Sequence, residues 1–484
     1  MIKGPFYPIF IAAAYWLNVP LLSAQQILYW LASCVAIWAI YPAVRRKWLL
    51  PLLFLFLLFN PFSFNYPWVG RAYRLGIYPS LGILVFSCIA GFSVRLNTSW
   101  KKALIWSVAA GIFLSAFWNT REESVWIVPS LLLLFMPIFL RICLVKRSQA
   151  FGLLGLSFLP LLIFLSVNYT LKTVNLRHYG VFSSIELKTP EFKSAYGGLL
   201  RIESKYWRQH YPVVKDVREK AYAVSPSFRE LKPYLEGSVG KSWQSLSGGD
   251  DFSAAHFIWA FRDSVAYAGY ADKGTTALKF YERMGGEIDQ ACETGRLDCR
   301  SRITALIPSW HKEYNELILP TFFSVMKQLI TFQDFSASTD GMMSFGPREI
   351  MITYETVTRE KILTSRRDRL RADPGYHRQV NRKKIDILNK IGKFYQTTTP
   401  PCFLLALLMF TFSVVRSLIS KQYSFFTLLG GAALAGLLSI VFILTLLTIT
   451  SYSEIERPLH TAYPLLLIFI MTVFVDITQK SILK

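Results

Sequence analysis

The residues best suited to chemistry stand in one short run, Trp118-Asn119-Thr120-Arg121-Glu122-Glu123-Ser124-Val125-Trp126. Two adjacent carboxylates and a guanidinium lie there between two apolar stretches, where uncompensated charge is costly. Glu122 or Glu123 can serve as a general base toward a sugar hydroxyl, or help to hold a divalent cation. Arg121 can grip a phosphate with two parallel N–H donors. The plainer alternative is an ion-paired turn with a tryptophan at each membrane interface. Arg71 and Arg74 occupy an earlier turn, and Glu454, Glu456, Arg457 and His460 a later one. If the three turns meet, they make a pocket carrying both signs of charge. Taken singly, the flanking turns read as solvated loop charge.

Other chemistries find little support. No pair among the six histidines has HxxxH or HExxH spacing, so no metal site is expected. GxSxG, Walker and strand-to-helix GxGxxG motifs are missing as well, which argues against ATP coupling within this chain. Cys292 and Cys299 would stand about 10 Å apart on a continuous helix, too far to bond. Gly295 between them can end the helix and fold the chain back. A disulfide is then feasible in an oxidising compartment, against the alternative of two unpaired thiols. Cys34, Cys88, Cys143 and Cys402 lie in or beside apolar stretches and read as packing residues.

The elements that must position these residues are written in the hydropathy. Of 484 residues, 52% are hydrophobic and only 17% charged, below the roughly 25% of soluble domains. Ten apolar stretches approach bilayer-spanning length. Seven fall within residues 1–168: Phe6–Pro20, Gln26–Val44, Trp48–Phe64, Gly76–Val94, Ala103–Asn119, Val125–Leu144 and Ala150–Val167. Three fall within 401–484: Phe403–Leu418, Phe425–Thr450 and Ala462–Val475. The first is short and resembles a signal-peptide core, but Leu22 is large for the cleavage position, so a retained helix is expected. The expectation is an all-α polytopic membrane protein with an insert at 169–400.

Lysine and arginine placement orients it. Arg45-Arg46-Lys47, Arg95 with Lys101-Lys102, Arg141 with Lys146-Arg147, and Arg416 with Lys421 all fall on one side of the count. That side is the cytoplasm, so both termini lie inside and the insert outside. Arg71 and Arg74 are exceptions on the outer side. The net charge of +22 then divides: the insert carries 35 Lys/Arg against 26 Asp/Glu, and the rest 18 against 5. Nearly all of the insert's surplus sits in 359–393, with twelve basic residues and four acids. Such a stretch can lie on anionic headgroups or lipid-linked phosphates, or simply form a solvated basic helix entering the membrane. Facing outward and lacking a nucleic-acid fold signature, it does not suit nucleic acid.

The insert is long enough for its own core and reads mainly as helix. Thr189-Pro190 is an N-cap with proline at the first helical position. Ser227 and Glu230 have capping-box spacing. Ile258, Phe261, Val265 and Ala268 form one apolar stripe; Ala277, Phe280, Met284, Ile288 and Ala291 form another. Gly269–Gly274 between them suggests a helical hairpin. Ile350–Tyr354 reads as a short strand and Ser336–Gly346 as a loop.

WNTREESVWIVP (118–129) and FIWAFRDSVAYAGY…ALKFYERMGGEIDQACETGRLDC (257–299) resemble a family of uncharacterised bacterial polytopic membrane proteins with a helical external insert. The resemblance implies a bacterial inner-membrane protein associated with envelope polysaccharide assembly. More distantly, the plan is similar to multi-span glycosyltransferases that use lipid-phosphate-linked sugars and place an acid in an early external loop; here the acidic turn follows the fifth stretch. The leading expectation is a protein that handles or transfers a lipid-linked glycan on the outer face. Glu122 or Glu123 would then be the base and Arg121 the phosphate contact, with Arg71, Arg74 and 359–393 holding the lipid carrier. The rival is a non-catalytic docking or scaffold protein whose insert binds an envelope partner. A transporter ranks third, because the stretches carry few buried charges.

Overall fold

The computed structural model describes residues 3–65, 69–96, 98–143, 147–248, 250–301, 306–337, 346–362, 376–451 and 459–480. Among these residues the chain is helical, with no strand. The first part holds α1 (Phe6–Trp16), α2 (Leu21–Ile40), α3 (Leu49–Leu58), α4 (Tyr78–Arg95), α5 (Trp100–Trp118), α6 (Val128–Cys143) and α7 (Arg147–Tyr179). The middle holds α8 (Pro190–Leu200), α9 (Lys215–Val224), α10 (Pro226–Glu230), α11 (Lys232–Leu235), α12 (Ser238–Leu246), α13 (Ala254–Val265), α14 (Gly274–Glu293), α15 (Tyr314–Ile330) and α16 (Arg348–Thr358). The last part holds α17 (Tyr376–Ser420), α18 (Phe425–Ser451) and α19 (Tyr463–Lys480).

All ten apolar stretches contain a helix. Six of these helices are long and apolar enough to cross a membrane: those spanning Leu21–Ile40, Arg74–Arg95, Trp100–Trp118, Phe151–Tyr179, Arg382–Ser420 and Phe425–Ser451. Four are shorter. The 11 residues of α1 rise only about 16 Å, half of a bilayer core. The 10 residues of α3 are continued by a 3₁₀ turn at Pro61–Phe64, which together give about 23 Å.

The chain divides into two compact units. One comprises residues 4–166, 325–441 and 456–484. Residues 325–400 therefore group with the apolar helices, although the sequence reading counts them in the insert. Helix α4 is buried along its length between α2 and α5. Arg95 closes the end of α2: its Nη1 donates to Ala39 O at 2.9 Å and its Nη2 to Trp38 O at 2.8 Å. Those carbonyls lie at the C-terminus of a helix, where a cation is favoured and intrahelical donors have run out. The small-residue stripe of α18 allows close packing, as its spacing implies. Ser130 Oγ donates to Ala432 O at 2.8 Å, and a Cβ on Gly436 would stand 2.3 Å from that same hydroxyl.

The other unit comprises residues 1–3, 167–324 and 442–455. Its core is aromatic: Phe192, Tyr196, Phe228, Phe257, Phe261 and Tyr281 are all buried, with ring centroids mostly 5–6.5 Å apart. Each such side chain contributes about 1.5–3 kcal/mol by burial. Arg218 is buried against the Phe252 ring, with Nη1 2.6 Å from Asp251 and Nε 2.7 Å from Glu236, so its charge is paired. Thr189 caps α8, accepting from the Phe192 N–H at 3.3 Å. Cys292 and Cys299 are bonded, and Gly295 between them has φ +71°.

Three local expectations give way. The cap of α10 is Ser225, which accepts from Phe228 N at 3.0 Å; Ser227 lies inside the helix and Glu230 pairs with Arg283. The helices α13 and α14 do not form a hairpin of their own, because α14 packs along α8 and α13 along α12. Ile350–Tyr354 belongs to α16, which packs on α1. Its β-branched run lacks a partner strand, so the backbone pairs with itself. Most of the expected Ser336–Gly346 loop lies outside the described residues.

Candidate functional site

Two caps shape the acidic turn. At the end of α5, Asn119 Nδ2 donates to Ser115 O at 2.9 Å and Thr120 Oγ1 to Ala116 O at 2.7 Å. They satisfy carbonyls that the helix leaves open and stop it just before the charged residues. Ser124 Oγ then donates back to Arg121 O at 2.8 Å, closing the turn, and stands 3.0 Å from Tyr78 Oη. Tyr78 stacks on Phe117 at 4.4 Å, and Phe117 meets Trp126 edge to face. A rigid aromatic floor thus lies under the run.

Above it stand two ion pairs. Arg74 Nη1 lies 2.8 and 2.9 Å from the two oxygens of Glu122 and 3.0 Å from Thr120 O. Arg121 Nε donates to Glu123 Oε1 at 2.5 Å, and its Nη2 contacts the same oxygen. The guanidinium sides are nearly closed off, at 12% and 9% exposed, while Glu122 and Glu123 keep 28% and 24%. Arg121 Nη1 is buried and meets no acceptor among the described residues.

Those pairs set the charge states. Burial by itself works against ionisation of Glu123, but the charge and hydrogen bonds of Arg121 outweigh it and hold the carboxyl below its ordinary range. Burial likewise opposes the Arg121 cation, and Glu123 reverses the balance, so that guanidinium stays charged. His460 sits near Arg121, 1% exposed, with Phe62 and Tyr463 edge-on to its ring. Neither ring nitrogen has a hydrogen-bond partner among the described residues. Burial, and then the charge of Arg121, push its pKa down to about 3, so it is neutral at physiological pH.

Of the residues singled out from sequence, Arg74, Arg121, Glu122, Glu123 and His460 thus come together. Arg71 is exposed, and its backbone carbonyl accepts from the Gln25 amide at 3.3 Å. Glu454, Glu456 and Arg457 lie outside the described residues. Sequence reasoning missed Tyr78, which has no motif around it, and the part of Ser124, which was in plain view beside the acids. The arrangement favours binding over proton transfer. A carboxylate already held by a guanidinium, with a depressed pKa, is a weak base. Two carboxylates that are each already paired with an arginine are also a poor nest for a divalent cation. Among the described residues no cluster of three or more His, Cys, Asp or Glu side chains is arranged for a metal.

A separate cavity of about 410 Å³ lies within the other unit. His178, Tyr179, Glu186, Arg262, Lys273 and Thr275 line it. Arg262 and Glu186 are paired at 2.9 Å, and Tyr281 Oη donates to Glu186 at 2.7 Å. Its size falls in the range of small-molecule sites. The apolar stripe beginning at Ala277 marked this neighbourhood in the sequence, but nothing there joined it to His178 or Glu186.

Comparison with known proteins adds no relative: no family model, no curated protein and no solved structure matches the chain.

Proposed function

We propose that the chain is an integral protein of the bacterial inner membrane that handles a phosphate-bearing, lipid-linked glycan on the outer face, as a binder more than as an acid–base catalyst. About ten crossings, both termini in the cytoplasm and the 169–400 insert outside form part of this reading. The Cys292–Cys299 bond supports the last point, since disulfides persist in oxidising compartments.

One observation carries the reading: Arg74 and Arg121 converge on one turn, each held by a carboxylate that remains partly open to solvent. An anionic oxygen can take the place of either carboxylate with little rearrangement, and Arg121 Nη1 has a donor to spare. Glu122 and Glu123 then act as placeholders that keep the arginines aimed.

The two roles of the acids separate experimentally. In a strain making surface glycan, Arg74→Gln with Arg121→Gln is expected to abolish it, at normal levels of a folded protein. Glu122→Gln with Glu123→Gln is expected to leave it largely intact, because glutamine still accepts from the arginines. Loss of glycan in the glutamate variant restores the transferase reading, with Glu122 or Glu123 as base. Unchanged glycan in both variants favours the second reading, a non-catalytic docking protein whose separately cored insert unit and 410 Å³ cavity serve a partner.

A further inference from the structure

Helix α17 has 45 residues and rises about 67 Å, more than twice the ~30 Å hydrocarbon core of a bilayer. Its two faces keep one phase from Lys383 to Ile419. The buried side runs through Gly392, Tyr395, Thr399, Phe403, Ala406 and Ser413. At the far end Tyr395 stacks on Phe56 at 5.3 Å and donates to Phe56 O at 2.8 Å. Past the Pro400-Pro401 pair, Phe410 and Phe403 pack on Phe469. The prolines therefore do not rotate one half of the helix against the other.

Opposite this side, at successive steps of three and four residues, stand Leu405, Leu408, Phe412, Val415 and Ile419, all large, apolar and exposed. Such a stripe suits lipid chains. Continued toward the N-terminus at the same phase, it passes Pro401 and Thr398 and then Phe394, Lys390, Ile387 and Lys383. Phe394 and Ile387 are 59% and 58% exposed, and both lysines are exposed. Lys393 flanks them. Past Pro401 and Thr398, the face that meets hydrocarbon thus turns into an aromatic and then into Lys390, the order found at a membrane interface.

We infer that Lys390 and Lys393, anchored by Phe394, form a site for anionic phospholipid headgroups of the leaflet that meets this end of the helix. Reach decides which cations take part. The apolar run begins after Pro401. Along the axis Lys393 lies about 12 Å and Lys390 about 16 Å beyond that point, but Lys384 about 25 Å and Arg382 about 28 Å. Headgroups occupy roughly 5–8 Å and the Debye length adds about 8–10 Å, so the field of the surface extends about 13–18 Å. A typical helix tilt of about 20° shortens the axial distances by less than a tenth. Lys393 and Lys390 fall within reach; the Arg382–Lys384 cluster, although more basic, does not. The site does not depend on the reading of the acidic turn or on which leaflet is the outer one.

The test uses the full-length protein in a neutral detergent, titrated with phosphatidylglycerol and, separately, phosphatidylcholine, with bound lipids counted by native mass spectrometry. Wild type should bind phosphatidylglycerol at least fivefold more tightly than phosphatidylcholine, from about 1 kcal/mol per lysine near the surface. Lys390→Gln with Lys393→Gln should remove that preference, while Arg382→Gln, Lys383→Gln and Lys384→Gln together should change it less than twofold. Millimolar inorganic phosphate should not displace the lipid. The inference is overturned if the 390/393 variant, with an unaltered melting temperature, keeps the preference, or if the distal triple variant loses as much. Displacement by free phosphate also overturns it, because the site then reads phosphate without its lipid.

Discussion

His460 has the clearest pH signature near the acidic turn. In the unfolded chain its imidazole takes a proton below its ordinary value of 6.5, while in the fold burial and then Arg121 keep it neutral down to about 3. Acid therefore favours the unfolded chain across that interval, and the stability His460 allows at neutral pH falls by up to about 1.4 kcal/mol per pH unit. Glu123 acts in a lower window. Its carboxyl is held below the ordinary 4.5, so its contribution is present above that value and drains away as pH falls further. His460→Phe keeps a ring between Phe62 and Tyr463 and removes the titration. Thermal unfolding of the variant in detergent should fall less steeply than that of wild type from pH 6.5 to 4.5, the remaining slope coming from His210 and His311, whose pKa values burial also lowers. An unchanged wild-type slope in the variant would show that His460 does not control this range. Little of this was legible in the sequence. The string around Glu122 marked the charged residues, because charge between apolar stretches is a local signal. That Glu122 pairs with Arg74, 48 residues earlier, and that His460 is buried near Arg121, depends on packing between helices distant in the chain.

At the scale of elements, hydropathy fixed where helices lie better than how they end or meet. The apolar stretches all became helices because burying peptide groups in an apolar setting demands internal hydrogen bonds. The shift of the α10 cap by two residues, from Ser227 to Ser225, came from Glu287: it accepts from both serine hydroxyls and from Ser227 N, a long-range demand invisible in local spacing. The last block holds another long-range device. Asp476 on α19 accepts from Ser413 Oγ on α17 at 2.8 Å, from Thr427 Oγ1 on α18 at 3.0 Å, and from Ser424 Oγ at the start of α18. One carboxylate so ties three helices, and the N-terminus of α18 adds a favourable dipole. Asp476→Leu removes the acceptor those hydroxyls share and is expected to cost about 3 kcal/mol in detergent unfolding, whereas Asp476→Asn, which still accepts, should cost less than half as much. Equal losses in the two variants would mean that packing at this position, and not the hydroxyl cluster, holds the helices.

For the whole molecule, the side of the membrane taken by the insert turns on one helix. Ten stretches suggest a count of crossings, but α1 rises only about 16 Å, and a count that includes it is fragile. Charge is the firmer guide. Arg141, Lys146 and Arg147 make a short basic segment that the positive-inside rule assigns to the cytoplasm, and α7, with 33 residues, follows it directly. On that assignment a single passage of α7 would carry the chain outward whatever α1 does. The six cysteines report the outcome. In an oxidising space Cys292 and Cys299 stay bonded; in the cytoplasm the glutathione and thioredoxin pools keep them as thiols. Cells lysed directly into denaturant with a maleimide should therefore yield a chain carrying four adducts, rising to six when a reductant precedes the maleimide. A strain lacking the envelope's thiol oxidation should give six without reductant. Six adducts in unreduced wild-type cells would place the insert in the cytoplasm, and with it would fall the outer-face glycan reading, while the lipid site on α17 would remain to be judged by its own titration.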